Sequence, residues 1–383
     1  MNQDKIKEVL TRGVEEVIVR ENLEKELLSG KKLRIYYGID PTGSKIHLGH
    51  AVVLRKLKEF CDLGHEVILL IGDFTAMIGD PTDRDAARVP LTIKQIKENM
   101  KDYKSQASKI LDFKKVKIKY NSQWLSKLNF EKILELSSHF TVQQMLHREM
   151  FQRRIKEDKP ISLQEFMYPL MQGYDSVVMD VDLEIAGNDQ LFNALAGRDL
   201  QKIYNNKDKN VLVMKLLLGI DGRKMSKTYD NSIYLNDSPS DMFGKVMSIK
   251  DELISDYIEL CLSSGKEIEN IQNPRDQKAR LAKEIVKMYH GEKEANKAEE
   301  EFNKTFRDKD PDFIKFNYPE KEVTILDLLV ETNLVPSKSE AKRLVMQKAV
   351  KINGEVEVDW QKMIEAKRGM KIQVGPRKFL ELI

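Results

Sequence analysis

Two apolar runs separated by one helix-length segment constrain this chain more than any other feature. Leu33 to Ile39 reads as a short strand, Asp40-Pro41-Thr42-Gly43 as a turn, Gly49 to Leu63 as a helix stopped by Gly64, and Val67 to Ile71 as a second strand. Apolar strands joined through a helix require a parallel sheet with helices on both faces, and ligands of such sheets sit at the carboxyl ends of the strands. The turn at Asp40 to His50 lies at such an end. A further strand is expected near Val177 to Ile185, followed by Gly187-Asn188-Asp189-Gln190, a helix, and the apolar run Val211 to Ile220.

The rest of the chain divides around that α/β core. At 383 residues it exceeds one ordinary domain. The sheet domain is expected over residues 1–228, with a lysine-rich helical insertion at about 92–160 whose stripe of Ile133, Leu136 and Phe140 has helical spacing. A helical domain is expected over 229–310, a polar proline-flanked linker over 311–322, and a small α+β domain over 323–383. That last part shows two helices and a hairpin turn at Lys351 to Glu355. With 41% hydrophobic and 33% charged residues, a packed core is feasible and wholesale disorder is excluded.

A net charge of +3 is too small for a histone-like nucleic-acid binder, so any nucleic-acid contact must be regional. Cys61 and Cys261 have no metal-ligand or disulfide-framework spacing, and no protein-bound metal is expected. The N-terminal stretch is charged, without a signal-peptide core, and no segment approaches the length of a membrane span. A cytoplasmic location without membrane contact is therefore the expectation.

Two short strings carry chemistry. His47-Leu48-Gly49-His50 places two imidazoles and a glycine at a strand-to-helix junction, where unpaired helix N–H groups favour phosphate. Imidazoles there can donate hydrogen bonds to phosphate oxygens whose charge grows during reaction. Lys224-Met225-Ser226-Lys227-Thr228 follows a glycine-bearing loop and suits the clamping of a transferring triphosphate. Either string alone also reads blandly, as helix caps or as a solvated basic loop.

Together the strings resemble the paired signature of class I aminoacyl-tRNA synthetases. Within that class the chain resembles the bacterial tyrosyl-tRNA synthetase family nearly end to end. Tyr36 to Gly43 is similar to its YxGxDPT segment, Ile78 to Pro81 to its IGDP, Tyr168 to Asp175 to its YxxxQxYD, and Gly187 to Gln190 to its GxDQ. The resemblance implies a Rossmann-like catalytic domain, a helical anticodon-region domain and a C-terminal RNA-binding domain. It further implies activation of L-tyrosine by ATP with Mg2+, transfer to tRNA(Tyr), and a homodimer.

By the same resemblance, Asp80, Tyr168 and Gln172, with Gln190 nearby, hold the substrate ammonium, while Tyr36 and Asp175 bond the phenolic hydroxyl. Tyr168, Gln172 and Asp175 sit at spacings of four and three, which places them on one helix face. A carboxylate paired with a phenol disfavours phenylalanine, which would leave it unsatisfied. Thr42, His47 and His50 fall to the phosphates, Asp40, Gly49, Gly187 and Asp189 to the adenosine, and Lys224, Lys227, Arg84 and Arg88 to the pyrophosphate. Thr228 replaces the commoner final serine and keeps a hydroxyl, and Tyr37 stands where the family often has a smaller residue.

Residues 321–383 hold 12 Lys/Arg against 9 Asp/Glu, an excess of three that matches the +3 of the whole chain. This tail resembles the small domain that tyrosyl enzymes share with a ribosomal small-subunit protein, and Lys342, Arg343 and Lys348 are its candidate RNA contacts. Competing readings are a tryptophanyl-tRNA synthetase, a smaller nucleotidyltransferase, and a non-catalytic RNA-binding descendant of a synthetase.

Overall fold

Strand β3 (Glu66–Ile71) is buried at every position but its first, so both faces of the sheet around it are covered. The computed structural model describes residues 3–82, 90–226, 229–306, 313–375 and 378–383. In it β3 belongs to a six-stranded sheet in the order β1-β6-β5-β2-β3-β4. The other members are β1 (Val14–Ile18), β2 (Arg34–Ile39), β4 (Lys117–Tyr120), β5 (Leu183–Gly187) and β6 (Asn210–Met214). All pairs are parallel except β1 on β6. Ile68, Leu70, Val211 and Val213 are at most 2% exposed, and burying each such side chain contributes roughly 1.5–3 kcal/mol.

The chain runs from β2 outward through β3 to β4, then returns to place β5 on the other side of β2. Strand order therefore reverses between β2 and β5, the position at which open α/β sheets bind ligands. Those two strands pair only at Ile35↔Leu183 and Tyr36↔Glu184. In contrast, β2 follows β3 from Arg34↔Glu66 to Ile39↔Ile71. Beyond Tyr36 and Glu184 the two strands part, which opens a crevice at their carboxyl ends.

Three helices frame that crevice. Helix α1 (Leu48–Asp62) follows β2. Helix α2 (Leu163–Met179) begins with a capping box between Ser162 and Glu165 and ends where Asp180 takes a left-handed φ of 48°. Helix α3 (Leu191–Asn205) packs along it. Glu165 also accepts from Arg154 at 2.7 Å, with the two side chains 4% and 0% exposed, which ties the start of α2 to the helix Glu149–Lys156.

The chain separates into one unit of Met1–Asp237 and Ile249–Gln277 and another of Ser238–Ser248 and Lys278–Ile383. In the second unit α4 (Pro239–Met247) lies against α5 (Glu292–Phe306), with the rings of Phe243 and Phe302 5.3 Å apart. Its sheet has the order β10-β9-β12-β13-β7, and a separate pair joins β11 to β8. These strands are β7 (Ile314–Phe316), β8 (Lys321–Thr324), β9 (Val350–Ile352), β10 (Glu355–Glu357), β11 (Met363–Ala366), β12 (Lys371–Val374) and β13 (Lys378–Leu382). Helices α6 (Ile325–Glu331) and α7 (Lys338–Met346) share the apolar core, which includes Ile325, Leu328, Val345 and Ile372.

Several expected boundaries differ from those observed. The span read as a helical insertion at about 92–160 contains β4, because Lys117 to Tyr120 alternates on a sheet edge and pairs with β3. The first unit does not stop at 228, because residues 233–235 bond back to Ile46 and Leu48. The helical stretch 229–310 does not form one unit: residues 249–277 belong to the first and 278–306 to the second. Within the expected linker 311–322, Ile314 to Phe316 is an edge strand parallel to β13. Val177 to Met179 continues α2, and the strand starts at Leu183.

The Arg154–Glu165 pair yields a stability prediction. Arg154→Met leaves a buried carboxylate uncompensated and should cost about 3–5 kcal/mol in chemical unfolding, whereas Arg154→Met with Glu165→Leu should recover most of that loss. Equal losses in the single and double variants would contradict it.

Candidate active site

His47 is the N-cap of α1, with extended backbone (φ −100°, ψ 169°), and its N–H donates to Nδ1 of His50 one turn later at 3.4 Å. The two rings stack with centroids 3.8 Å apart. A Cβ at Gly49 would come within 3.0 Å of His47 Nδ1, so glycine is what lets the turn close. His47 Nδ1 is buried and has no hydrogen-bond partner among the described residues. Burial, then the neighbouring His50 and Lys224, hold the His47 imidazole well below its usual range. His50 is lowered to about 4, chiefly by burial. Both rings are therefore neutral donors and acceptors at pH 7.

The second string folds against this turn. Leu48 N–H donates to Ile233 O at 2.8 Å and Leu235 N–H to Ile46 O at 2.9 Å, which fixes the far side of the loop to the start of α1. On the near side Gly219 N–H donates to Arg223 O at 2.7 Å. Asn231 bridges the loop's two arms, donating to Asp221 Oδ1 at 2.7 Å and accepting from Ser226 N–H at 2.9 Å. The Lys224 ammonium donates to Asp189 Oδ2 at 2.6 Å. Lys227 and Thr228, and likewise Arg84 and Arg88, lie outside the described residues.

At the deep end, Asp175 on α2 is 2% exposed. Its oxygens accept from Trp124 Nε1 at 2.7 Å and Asn121 Nδ2 at 3.1 Å. Burial pushes this carboxyl well above the usual range, and the two N–H donors oppose the shift. Tyr36 Oη lies 3.0 Å from Ser176 Oγ, and burial followed by the charge of Glu184 keeps the phenol protonated. Tyr168 Oη donates to Asp40 Oδ2 at 2.8 Å, and Thr75 Oγ1 donates to Asp40 Oδ1 at 2.7 Å. Asp80 accepts from Gln190 Nε2 and from Thr82 N–H and Oγ1. Gln172 Nε2 donates to Glu184 Oε1 at 3.0 Å.

These groups line one cavity of about 1240 Å³ at the carboxyl ends of β2 and β5. Tyr36, Asp40, Thr42, His47, Gly49, His50, Asp80, Tyr168, Gln172, Asp175, Gly187, Asp189, Gln190 and Lys224 all face it. Asn121, Trp124, Thr75 and Glu184 are polar participants that sequence reasoning missed. The available signal for the first two was a polar run, Asn121 to Trp124, directly after β4, where ligand groups of a parallel sheet cluster.

The three candidate RNA contacts lie in the other unit. Lys342 stacks its ammonium 3.7 Å from the Trp360 ring centroid, Arg343 bonds Glu340 and Gln347, and Lys348 follows α7 with a left-handed φ of 59°.

A parallel sheet that binds at its strand-order reversal, with an imidazole turn facing a lysine loop, has the architecture of a class I aminoacyl-tRNA synthetase. The family model for class I tRNA synthetases of the W and Y type matches residues 28–307, and a model for the tyrosine–tRNA ligase SYY-like C-terminal domain matches 301–373. The tyrosine–tRNA ligase of Carboxydothermus hydrogenoformans is 46% identical, with 98% of this chain and 97% of that protein covered. That of Thermotoga maritima is also 46% identical, over 98% and 96%. The C-terminally truncated mitochondrial tyrosyl-tRNA synthetase of Aspergillus nidulans superposes with a TM-score of 0.66 at 21% identity, over 79% of this chain and 94% of that one, which is a likeness of fold.

The chain belongs to the tyrosine–tRNA ligase family and is an ATP-dependent aminoacyl-tRNA synthetase. The tryptophan alternative falls with that result. Among the described residues no helix is long and apolar enough to cross a membrane.

Burial of the two imidazoles sets a pH prediction. An unfolded histidine titrates near 6.5, whereas His50 here titrates near 4. Because the folded value is the lower one, stability is intact above about pH 6.5 and falls as pH drops toward 4, where the unfolded chain binds the proton first. Tyrosine-dependent pyrophosphate exchange should show no histidine inflection between pH 6 and 8. An inflection near 6.5 that is lost in His50→Asn would contradict this.

Proposed function

We propose that tyrosine and ATP meet in this cavity, tyrosine at the deep end and the nucleotide along the turn before α1. The observation that supports the reading best is the convergence on one cavity of every described residue assigned here to tyrosine or ATP. Tyr36 and Asp175 take the phenolic hydroxyl. Asp80, Tyr168 and Gln172 take the ammonium, with Gln190 steadying Asp80. Asp40, Gly49, Gly187 and Asp189 hold the adenosine, and Thr42, His47 and His50 face the phosphates.

The reaction needs no side-chain nucleophile. The tyrosine carboxylate oxygen attacks the α-phosphorus, a P–O bond forms, and pyrophosphate leaves with the electron pair of the broken bond. The terminal ribose hydroxyl of the tRNA then attacks the carbonyl, and AMP departs. Catalysis is positioning and charge stabilisation. Lys224 and Lys227, with Arg84 and Arg88, neutralise the departing pyrophosphate. Magnesium enters as part of the ATP substrate, liganded by phosphate oxygens.

In the same reading the sheet domain is the catalytic domain, the stretch 229–310 serves the anticodon region, and Lys342, Arg343 and Lys348 contact tRNA(Tyr) backbone from the C-terminal domain. The protein acts in the cytoplasm as a homodimer.

Pyrophosphate exchange across the amino acids tests the reading: tyrosine alone should drive it, and exchange with tryptophan or with none would remove it. Lys227→Ala should slow adenylate formation by on the order of 10²–10³-fold with little change in tyrosine binding. Equal effects on both would count against a transition-state role. Sedimentation at micromolar concentration should give twice the chain mass, and a monomer would overturn the dimer.

A further inference from the structure

Where β2 and β5 part, Glu184 in the cavity wall and Lys209, which does not line the cavity, form a charge pair that no step of the reaction uses. Lys209, just before β6, is 0% exposed, and Glu184 on β5 is 2% exposed. The Lys209 ammonium donates to Glu184 Oε2 and, at 3.0 Å, to Ser176 Oγ. Glu184 Oε1 accepts from Gln172 Nε2 at 3.0 Å, and Ser176 Oγ lies 3.0 Å from Tyr36 Oη. Two side chains assigned to tyrosine are thus each one hydrogen bond away from this pair or its serine. Space for the ammonium comes from Gly197 on α3, where a Cβ would meet Lys209 Nζ at 2.6 Å and Ser176 Oγ at 3.0 Å.

We infer that Lys209 and Glu184 are positioning residues for tyrosine: the pair turns the Gln172 amide so that its oxygen faces the substrate ammonium, and through Ser176 it holds Tyr36 at the phenol end. The inference rests on the assignment of Gln172 and Tyr36 to tyrosine made above. An ionised carboxylate only accepts hydrogen bonds, so the Gln172 group beside it must be the NH2, which leaves Oε1 for the ammonium. A protonated Glu184 would instead donate, draw the amide oxygen toward itself, and present two N–H donors to a cationic substrate group.

Ionisation of a carboxyl this deep requires a compensating charge, and Lys209 supplies it. Glu184 is also faced by Tyr36 from β2 and Asp175 from α2, and Lys209 by Arg198 and Asp199 from α3. Of these, Lys209 is the cation bonded to Glu184.

The test compares Lys209→Met, Glu184→Gln, the double variant and Gln172→Ala in the full-length enzyme, reading KM for tyrosine and for ATP in pyrophosphate exchange from pH 6 to 9. Each charge-breaking single variant should raise the tyrosine KM roughly tenfold or more with the ATP KM within about twofold. The double variant lacks both the carboxylate that orients Gln172 and the ammonium that holds Ser176, so its tyrosine KM should stay raised, as in the single variants. If Lys209→Met does not fold, Glu184→Gln and the double variant make the same comparison. A rise in Gln172→Ala with no specific rise in the single variants, or a double variant restored to the wild-type tyrosine KM, would overturn the inference. No rise in Gln172→Ala itself would instead overturn the assignment of Gln172.

Discussion

Everything at the active site depends on how little β2 and β5 hold on to each other. Parallel strands normally continue a ladder for their whole length, but these two share hydrogen-bonded register only at Ile35↔Leu183 and Tyr36↔Glu184. Each is secured on its other side, β2 by β3 and β5 by β6, so the parting does not unravel the sheet. The crevice that results has floor residues on strands and helices, which fixes their positions better than loops could. Tyr36, Glu184 and the α2 face carrying Tyr168, Gln172 and Asp175 all owe their places to that divergence.

The cavity concentrates carboxyls: Asp40, Asp80, Asp175, Glu184 and Asp189 all face it. So many acids in one hollow would repel one another unless each were answered, and each is. Tyr168 and Thr75 answer Asp40, Gln190 and Thr82 answer Asp80, Asn121 and Trp124 answer Asp175, Lys209 answers Glu184, and Lys224 answers Asp189. The deep end accordingly favours an ammonium and a phenol, both hydrogen-bond donors. The outer end is different in kind, with neutral imidazoles, helix N–H groups and a lysine loop suited to phosphate. One hollow thus offers hydrogen-bond acceptors at its floor and groups suited to phosphate at its mouth.

How much of this was readable beforehand follows from range of interaction. The succession β2, turn, α1, β3 depends on local patterning and was legible, as was the helical spacing of Tyr168, Gln172 and Asp175. Strand β1 was not, because adjacent Glu15 and Glu16 break alternation and the ladder is irregular between Val14 and Glu16. Nor was β7, three residues long and defined by a partner over 60 residues away. Lys209, in the run Asn205 to Asn210, looks like a solvated loop lysine, and only the fold brings Glu184 to it. The partners of Asp175 come from the far edge of the sheet for the same reason.

The bond from His47 N–H to His50 Nδ1 that opens α1 has a consequence for how this enzyme can vary. His47 and His50 hold the first turn of a helix as well as facing the cavity, and the His47 ring takes the space that a Cβ at position 49 would need. A replacement chosen for its chemistry must therefore also begin a helix. Drift at these positions is confined by two demands at once, and the handful of residues that meet both is a matter of side-chain length as much as of reactivity.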